Sequence, residues 1–134
     1  MIELDVISYL NSDATLDTLL SVGGSDTKIY PMQMPHGAST PFIIYKTATD
    51  GTFEENIKEM TMEFDCIADT YIAAKNIHDR VSILLDYQDA IRNYITSTNY
   101  FLYYAKKIGG SAFKDAELDL FHDMVICAFK YQIK

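Results

Sequence analysis

A chain of 134 residues fits one domain and is too short for two of ordinary size, so we expect a single domain over residues 1–134. Hydrophobic residues make up 49% of the chain and charged residues 22%, and the longest apolar runs are far shorter than a bilayer span, which is typical of a soluble globular protein without membrane contact. The 19 acidic and 11 basic residues give a net charge of −8, which repels phosphate backbones and argues against sequence-specific nucleic-acid binding.

The first residues and the two cysteines indicate the cellular compartment. Residues 1–5 include two acids where a secretory signal would carry basic residues, so we expect no export by a signal peptide. Cys66 and Cys127 each fall within a β-like apolar run, which predicts buried free thiols of a cytoplasmic protein that could lie on neighbouring strands.

The N-terminal 22 residues have the pattern of a helical pair or of one interrupted helix. Ile2, Val6 and Leu10 recur every four residues, and the polar cluster at 11–13 either ends that helix or caps the next one. The glycine pair at 23–24 then supplies residues that commonly end a helix. A short strand is predicted at 28–32, where prolines close it.

A hairpin follows in the predicted order of elements. Pro41 marks the start of a strand over 42–49, and the dipeptide Asp50-Gly51 favours a tight turn after it, although the polar stretch FEENIKE could lengthen the arm. From Met60 apolar and polar residues alternate strictly as far as Ala68, which predicts a half-buried strand.

The second half of the chain predicts a helix and two more strands. Thr70 is suited to cap a helix that buries Ile77, Val81 and Leu84. A tyrosine-rich strand over 99–108 is expected to end at the glycine pair 109–110, and a polar loop of about ten residues then leads to a final strand over 121–134. Residues 87–98 suit either a helical turn or a strand. The predicted class is α+β, with an antiparallel or mixed sheet of about five strands and with one long helix and an N-terminal helix on one face.

No reaction chemistry is evident in the sequence. The chain has no G-x-S-x-G motif and no Walker spacing, and its three histidines lack the short ligand spacings of a zinc site, so we expect neither an enzyme nor a cofactor nor a metal. Glu63 and Asp65 share a strand face, which we interpret as a solvated outer face rather than an acid–base pair. Solvated or hydrogen-bonded states are expected for the histidines.

Aromatic residues suggest a contact surface instead. Tyrosines are ten in number, and the run from Tyr100 to Tyr104 places large rings on both faces of one strand. These rings either cover the edge of the core or form a protein interface, because tyrosine supplies contact area at small entropic cost.

Four stretches carry a family resemblance: LDTLLS, then KIYPMQMPHGASTPFIIYK, then MTMEFDCIADTYIAAKNIHDRVSILL, and finally DLFHDMVICAFKYQIK. Together they resemble the tail-completion family of long-tailed bacteriophages, in which a proline-flanked loop precedes an aliphatic strand, a strand ending in aspartate and an alanine-rich helix. The likeness covers most of the chain, while residues 87–98 fit the family pattern poorly.

The resemblance implies a structural virion protein without catalytic residues. Such a subunit forms a ring, commonly a hexamer, that terminates the tail tube or joins the tail to the head connector in the virion neck, after assembly in the host cytoplasm. Phage DNA passes through the ring, and an acidic chain would let it slide. The partners implied are further copies of the chain, the tail tube protein and the connector proteins.

Two loops and the tyrosine strand are the candidate partner-binding sites. Prolines restrict the loop at 31–41, so it can present its side chains at low ordering cost, or it is a simple crossover whose prolines protect a sheet edge. The candidate residues are Met32, Met34, His36, Phe53, Glu54, Glu55, Tyr103 and Tyr104. The alternative function is a small ligand-binding or regulatory domain that uses a tyrosine-rich pocket, and an enzyme built from distant carboxylates is a third possibility.

Overall fold

The computed structural model describes residues 1–22, 27–33, 36–54, 56–86 and 95–134. Its helices and strands follow the order that the sequence predicts, with a helical pair at the N-terminus. The helices are α1 (Ile2–Asn11), α2 (Ala14–Leu19) and α3 (Tyr71–Leu84), and the strands are β1 (Ile29–Pro31), β2 (Phe42–Glu54), β3 (Ile57–Ala68), β4 (Tyr100–Asp115) and β5 (Leu120–Ile133).

The strands form one mixed sheet in the order β1-β2-β3-β5-β4. β1 runs parallel to β2, and the other neighbours are antiparallel. The predicted α+β class and the mixed sheet are therefore confirmed. The proline loop after β1 is the connection between two parallel neighbours, as the crossover interpretation expected.

The core lies between the sheet and the helices. Apolar side chains recur with helical spacing in α1 and α3 and with a period of two in β3 and β5, so each element presents one apolar side to the others. The buried cluster includes Val6, Leu10, Leu16, Ile77, Val81, Met62, Phe64, Val125 and Phe129. The other side of the sheet carries the alternate residues of each strand, and we call it the open face.

Polar caps fix the helices to one another. Asp13 caps α2 by accepting the backbone N–H of Leu16 at 2.8 Å, and its carboxylate also accepts two hydrogen bonds from Arg80 of α3, at 2.9 and 2.7 Å. The hydrogen bond from Arg80 holds the pKa of Asp13 below its ordinary value. Thr70 caps α3 as predicted, with its hydroxyl accepting from the N–H of Ala73.

The predicted turn at Asp50-Gly51 is wrong. Both residues lie within β2, where Gly51 is opposite Glu59, and the chain reverses after Glu54. A tight hairpin turn needs residues with positive φ, and here Asn56 provides one at 71°. The longer hairpin arm that the polar stretch suggested is thus present, and β3 begins at Ile57 rather than Met60.

The predicted end of the tyrosine strand is also wrong. Gly109 and Gly110 lie inside β4, next to an irregularity in the pairing with β5 between Lys107 and Gly109. A Cβ at Gly110 would lie 2.5 Å from the carbonyl oxygen of Met124, so this glycine permits close approach of two strands rather than a turn. The expected ten-residue loop shrinks to the turn at 116–119, where Asp115 accepts the N–H groups of Glu117 and Leu118.

The two cysteines lie on adjacent strands but not opposite each other. Cys66 pairs with Asp123 and Cys127 pairs with Met62, a displacement of four residues or about 13 Å. Burial raises the pKa of the Cys66 thiol well above its ordinary value and that of Cys127 to about 12, which makes both thiols unreactive.

Within the described residues, no helix has the length and apolar character that crossing a bilayer requires. The ambiguous segment at 87–98 falls largely outside those residues, because the description resumes only at Ile95.

Candidate interaction surfaces

The centre of the open face is apolar and its surroundings are charged. Met124 and Ile126 are only partly buried there, and Ala128 is buried without a covering helix. Lys46 and Glu63 form an ion pair at 3.1 Å across β2 and β3, and the Glu63 side chain is only 22% exposed. The solvated outer face expected for Glu63 and Asp65 is therefore wrong, because each carboxylate is partly buried and has a cross-strand partner.

A hydrogen-bonded pair of a histidine and an aspartate borders this apolar centre. Nδ1 of His122 lies 2.8 Å from the Asp65 carboxylate, and the imidazole stacks on the Phe113 ring with 4.4 Å between centroids. Asp65 and His122 come from neighbouring strands, which is why no local sequence pattern indicated this partner. The hydrogen-bonded state expected for this histidine is confirmed.

The tyrosines of β4 lie at the end of the open face nearest the β2–β3 hairpin. Tyr103 donates its hydroxyl hydrogen bond to Gln132, and its ring packs edge-on against Phe101 at 5.0 Å. Lys130 lies 5.9 Å from the centre of that ring, and Lys106 lies 5.6 Å from the Tyr104 ring, both within cation–π range. Tyr100 instead packs against Tyr131 beside the core, so the rings do occupy both faces of the strand.

The predicted partner-binding residues fall into two groups. One cross-strand row joins Glu54, Ile57, Gln132 and Phe101, so the backbone of Phe53 and Glu54 is at the same end of the sheet as Tyr103 and Tyr104. Met32 and His36 belong to the other group, in the loop after β1. Met34 and Glu55 lie outside the described residues, and no patch made of described residues includes both groups.

Met32 combines an unfavourable backbone conformation with an exposed apolar side chain. Its φ of 64° is in the left-handed region, which costs a non-glycine residue about 1 kcal/mol, and its side chain is 73% exposed. Its N–H donates to the carbonyl of Tyr45, which continues the β1 ladder past Pro31. Shallow grooves lie on both sides of Met32, one lined by Ile44 and Met124 and the other by Met1 and Leu4.

Two strand edges lack partners among the described residues. β4 pairs only with β5, and every residue from Lys107 to Lys114 except Gly109 is exposed. β1 covers β2 only as far as Tyr45, which leaves the rest of β2 without a neighbour on that side. Natural proteins usually shield long exposed edges, because an open row of N–H and C=O groups recruits another strand.

Behind the β4 edge, the buried side chains of His78 and Asp123 meet the exposed Lys107 in a cleft of about 390 Å³ between α3 and β4. Nε2 of His78 lies 2.8 Å from the Lys107 ammonium and Nδ1 lies 2.9 Å from the Asp123 carboxylate. An ammonium can only donate, so Nε2 accepts and the neutral ring keeps its proton on Nδ1. Nδ1 is close to the Asp123 carboxylate but does not have the alignment of a hydrogen bond with it. Burial lowers the pKa of His78, Asp123 opposes this, and Lys107 lowers it further.

Sequence reasoning missed this cluster, although two periodic signals pointed to its members. His78 belongs to the buried side of α3 with Ala74, Ile77 and Val81, and Asp123 belongs to the buried side of β5 with Val125. A polar residue inside an apolar stripe requires a partner. The pairing itself depends on how α3 crosses the sheet, which no local pattern specifies.

Within the described residues, no three His, Cys, Asp or Glu side chains are grouped as a metal site would need. The two paired histidines each have a single carboxylate partner, and His36 is exposed in the loop.

Comparison with known proteins gives an informative likeness. Neither the family models nor the curated proteins that were searched match this chain. Among solved structures, a chain from the virion of a native gene transfer agent particle is similar over 95% of this chain and 91% of its own length, with a TM-score of 0.71 and 16% identity. At this identity the likeness establishes a shared fold.

Proposed function

We propose that this protein is a structural subunit of a phage-like particle that completes the tail or joins it to the head. The observation that carries the proposal is the fold shared along almost the whole chain with a component of a virion. The sequence resemblance to the tail-completion family is independent of that comparison, which supports the broader part of the proposal, a virion protein. On this proposal the chain acts in the virion neck, after assembly in the host cytoplasm, and has no catalytic role.

The surfaces of the molecule suit an assembly subunit. A ring requires two different patches on each subunit, one for each neighbour, and the two unpaired strand edges lie on opposite sides of the sheet. The open face, with its apolar centre, is available for a partner such as the tail tube protein or a connector protein. The acidic balance of the chain disfavours tight binding of DNA that passes through such a ring.

The loop after β1 and the tyrosine end of the open face are the proposed contact sites. Met32 is exposed in a costly backbone conformation, and strain of this kind is retained where a side chain has a role in binding. Tyr103 and Tyr104 are held in place by Gln132 and by the neighbouring lysines, so a partner could bind them at small entropic cost.

Deletion of the gene from the particle-forming genome that encodes the chain tests this function. We expect DNA-filled heads and separate tails by negative-stain electron microscopy, and tails of uncontrolled length if the subunit terminates the tube. Expression of the wild-type chain from a plasmid should restore joined particles, and infectivity or transfer should recover with them. Joined, functional particles in the deletion strain would refute the proposal.

A further inference from the structure

The exposed edge of β4 is apolar as well as unpaired. Ile108 and Phe113 are each 50% exposed along this edge. On that side the N–H of Lys107 donates to the carboxylate of Asp86 at 3.2 Å, and β5 is the one strand that pairs with β4 among the described residues. From Ile108 to Lys114 the strand therefore offers both backbone groups and apolar side chains to an added strand.

A second open edge is available on the opposite side of the same sheet. β1 is three residues long and covers β2 only at Ile43 to Tyr45. The remainder of β2, from Thr47 to Glu54, has no strand neighbour on its outer side among the described residues. One edge of the molecule could thus receive the other edge of a second copy.

The two edges carry opposite charge in a chain whose net charge is −8. β4 contains Lys106, Lys107 and Lys114 with one acid, Asp115. The Lys107 ammonium contacts His78, and the Lys114 ammonium pairs with Asp119 at 3.0 Å in an exposed ion pair that contributes little and can be exchanged. The free part of β2 contains Asp50 and Glu54 and no basic residue. An acidic strand is the natural partner for this basic edge, and like edges would repel each other.

Strand direction permits copies related by simple rotation. β2, β3, β5 and β4 alternate in direction, so β2 and β4 of one copy are antiparallel. Rotation about a common axis keeps all copies in the same sense, and β4 of one copy then meets β2 of the next in the antiparallel arrangement. Because the two patches differ, the contact is head to tail and can close into a ring.

One register of the two edges is compatible with a closed barrel. One row across the sheet joins Ser111, Met124, Asp65 and Ile44, and another joins Tyr104, Lys130, Glu59 and Gly51. Placing Ser111 against Gly51 of the next copy shifts neighbours by the six residues from Glu59 to Asp65 on β3, or about 20 Å. Four strands span about 19 Å, so the strands would tilt by about 45°, close to the tilt that closed barrels adopt.

We propose that the Ile108–Lys114 edge of β4 pairs antiparallel with the free part of β2 in a second copy of this chain, so that successive subunits form one continuous sheet. In this register the backbone of Asp50 lies opposite that of Ala112, two residues before Lys114 along β4. This inference rests on the proposed function only for the ring that the paired copies would build.

Engineered cysteines test the pairing directly. The Asp50→Cys/Ala112→Cys variant uses two positions on the helix-covered side of the sheet, since Asp50 is opposite Met60 and Ala112 is opposite Asp123 in register. Oxidation of the purified variant with diamide should give a ladder of disulfide-linked oligomers on non-reducing gels. The native thiols are buried and should not contribute. The two sites lie on opposite edges, so an intramolecular bond cannot form.

The matched control moves one cysteine by a single residue. Gly51→Cys/Ala112→Cys has its thiols on opposite faces, and a Cβ at Gly51 meets no atom within 4 Å, so the variant should fold normally and remain unlinked. Charge reversal provides a second arm: Asp50→Lys or Lys114→Glu alone should weaken self-association at least tenfold by analytical ultracentrifugation, and the two together should restore it.

Each outcome decides the inference. Equal cross-linking in the test and control variants, or a wild-type chain that forms oligomers while the test variant yields no ladder, would overturn the pairing. A wild-type chain that remains monomeric at millimolar concentration would do the same. Normal particles in the deletion strain together with a clear ladder would refute the proposed function and leave the edge pairing supported, so the two failures are distinguishable.

Discussion

At the scale of single residues, His78 is a buried polar group that contacts two charged side chains. It is 5% exposed, as is Asp123, and it connects α3 to β5 and β4 through one imidazole. The charged groups that face it are Asp123, Lys107, Lys75 and Asp79. Since burial lowers the pKa of His78, the folded state favours the neutral ring and binds fewer protons than the unfolded state near pH 6.

This proton imbalance predicts a pH effect of definite sign. Stability should be fullest above the ordinary histidine pKa of about 6.5 and should decline as the pH falls below it, because the unfolded chain then takes up a proton that folded His78 resists. His78→Gln should remove this component of the pH dependence while costing about 1–3 kcal/mol at pH 7.5. Urea unfolding at pH 7.5 and 5.5 measures both effects.

His36→Gln provides the control for that experiment, because His36 is exposed in the loop after β1. Its unfolding free energy should follow the wild type at both pH values. If His78→Gln and the wild type lose the same free energy of unfolding between pH 7.5 and 5.5, the buried histidine does not titrate as argued.

At the scale of elements, the two glycines beside the irregularity in β4 contribute differently to the packing of the strand. Gly109 and Gly110 are adjacent and chemically identical, yet their surroundings differ. A Cβ at Gly110 would meet the Met124 carbonyl at 2.5 Å and Cε1 of His78 at 3.3 Å, whereas one at Gly109 meets only a side-chain carbon of Ile126 at 3.8 Å. The close packing of β4 against β5 and the position of His78 therefore depend on Gly110.

A pair of alanine substitutions tests this asymmetry. Gly110→Ala should lower the free energy of unfolding by about 2 kcal/mol, because the backbone carbonyl cannot move aside as a flexible side chain could. Gly109→Ala should change it by less than about 1 kcal/mol, since its added methyl group makes an ordinary contact. Chemical denaturation of the two variants in parallel gives the comparison, and equal destabilisation would contradict the structural explanation.

At the scale of the whole molecule, the open face and the two free strand edges are surfaces that other described elements leave uncovered. Helices cover one side of the sheet and leave a partly apolar surface on the other. Met32 projects beside that surface from a loop joining two parallel strands. We therefore propose that assembly, rather than folding of the isolated chain, uses Met32.

Met32→Asn separates these two roles. Asparagine tolerates the left-handed backbone, so the free energy of unfolding should change by less than about 0.5 kcal/mol. Loss of the exposed apolar side chain should nevertheless reduce incorporation of the subunit into particles several-fold, measured by quantitative blotting of purified particles from a complemented deletion strain. Unchanged incorporation would exclude Met32 from the contact site.

Periodicity along the chain determined most of the fold. Alternation in β3 and β5 and the apolar stripe of α3 are local consequences of backbone geometry, so the sequence by itself specified the α+β class, the order of elements and the Thr70 cap. Met32 and His36 are exposed, and their presentation to a partner stays a prediction.

Tertiary structure alone decided how far the strands extend and which distant side chains come into contact. Asp50-Gly51 and Gly109-Gly110 have turn composition, yet both continue as strand, because long-range pairing with β3 and β5 outweighs local preference. The contacts of His78 with Asp123 and Lys107, and of His122 with Asp65, join residues far apart in the chain. Such contacts follow from strand order and helix crossing, which are set by burial of the whole core rather than by any single segment.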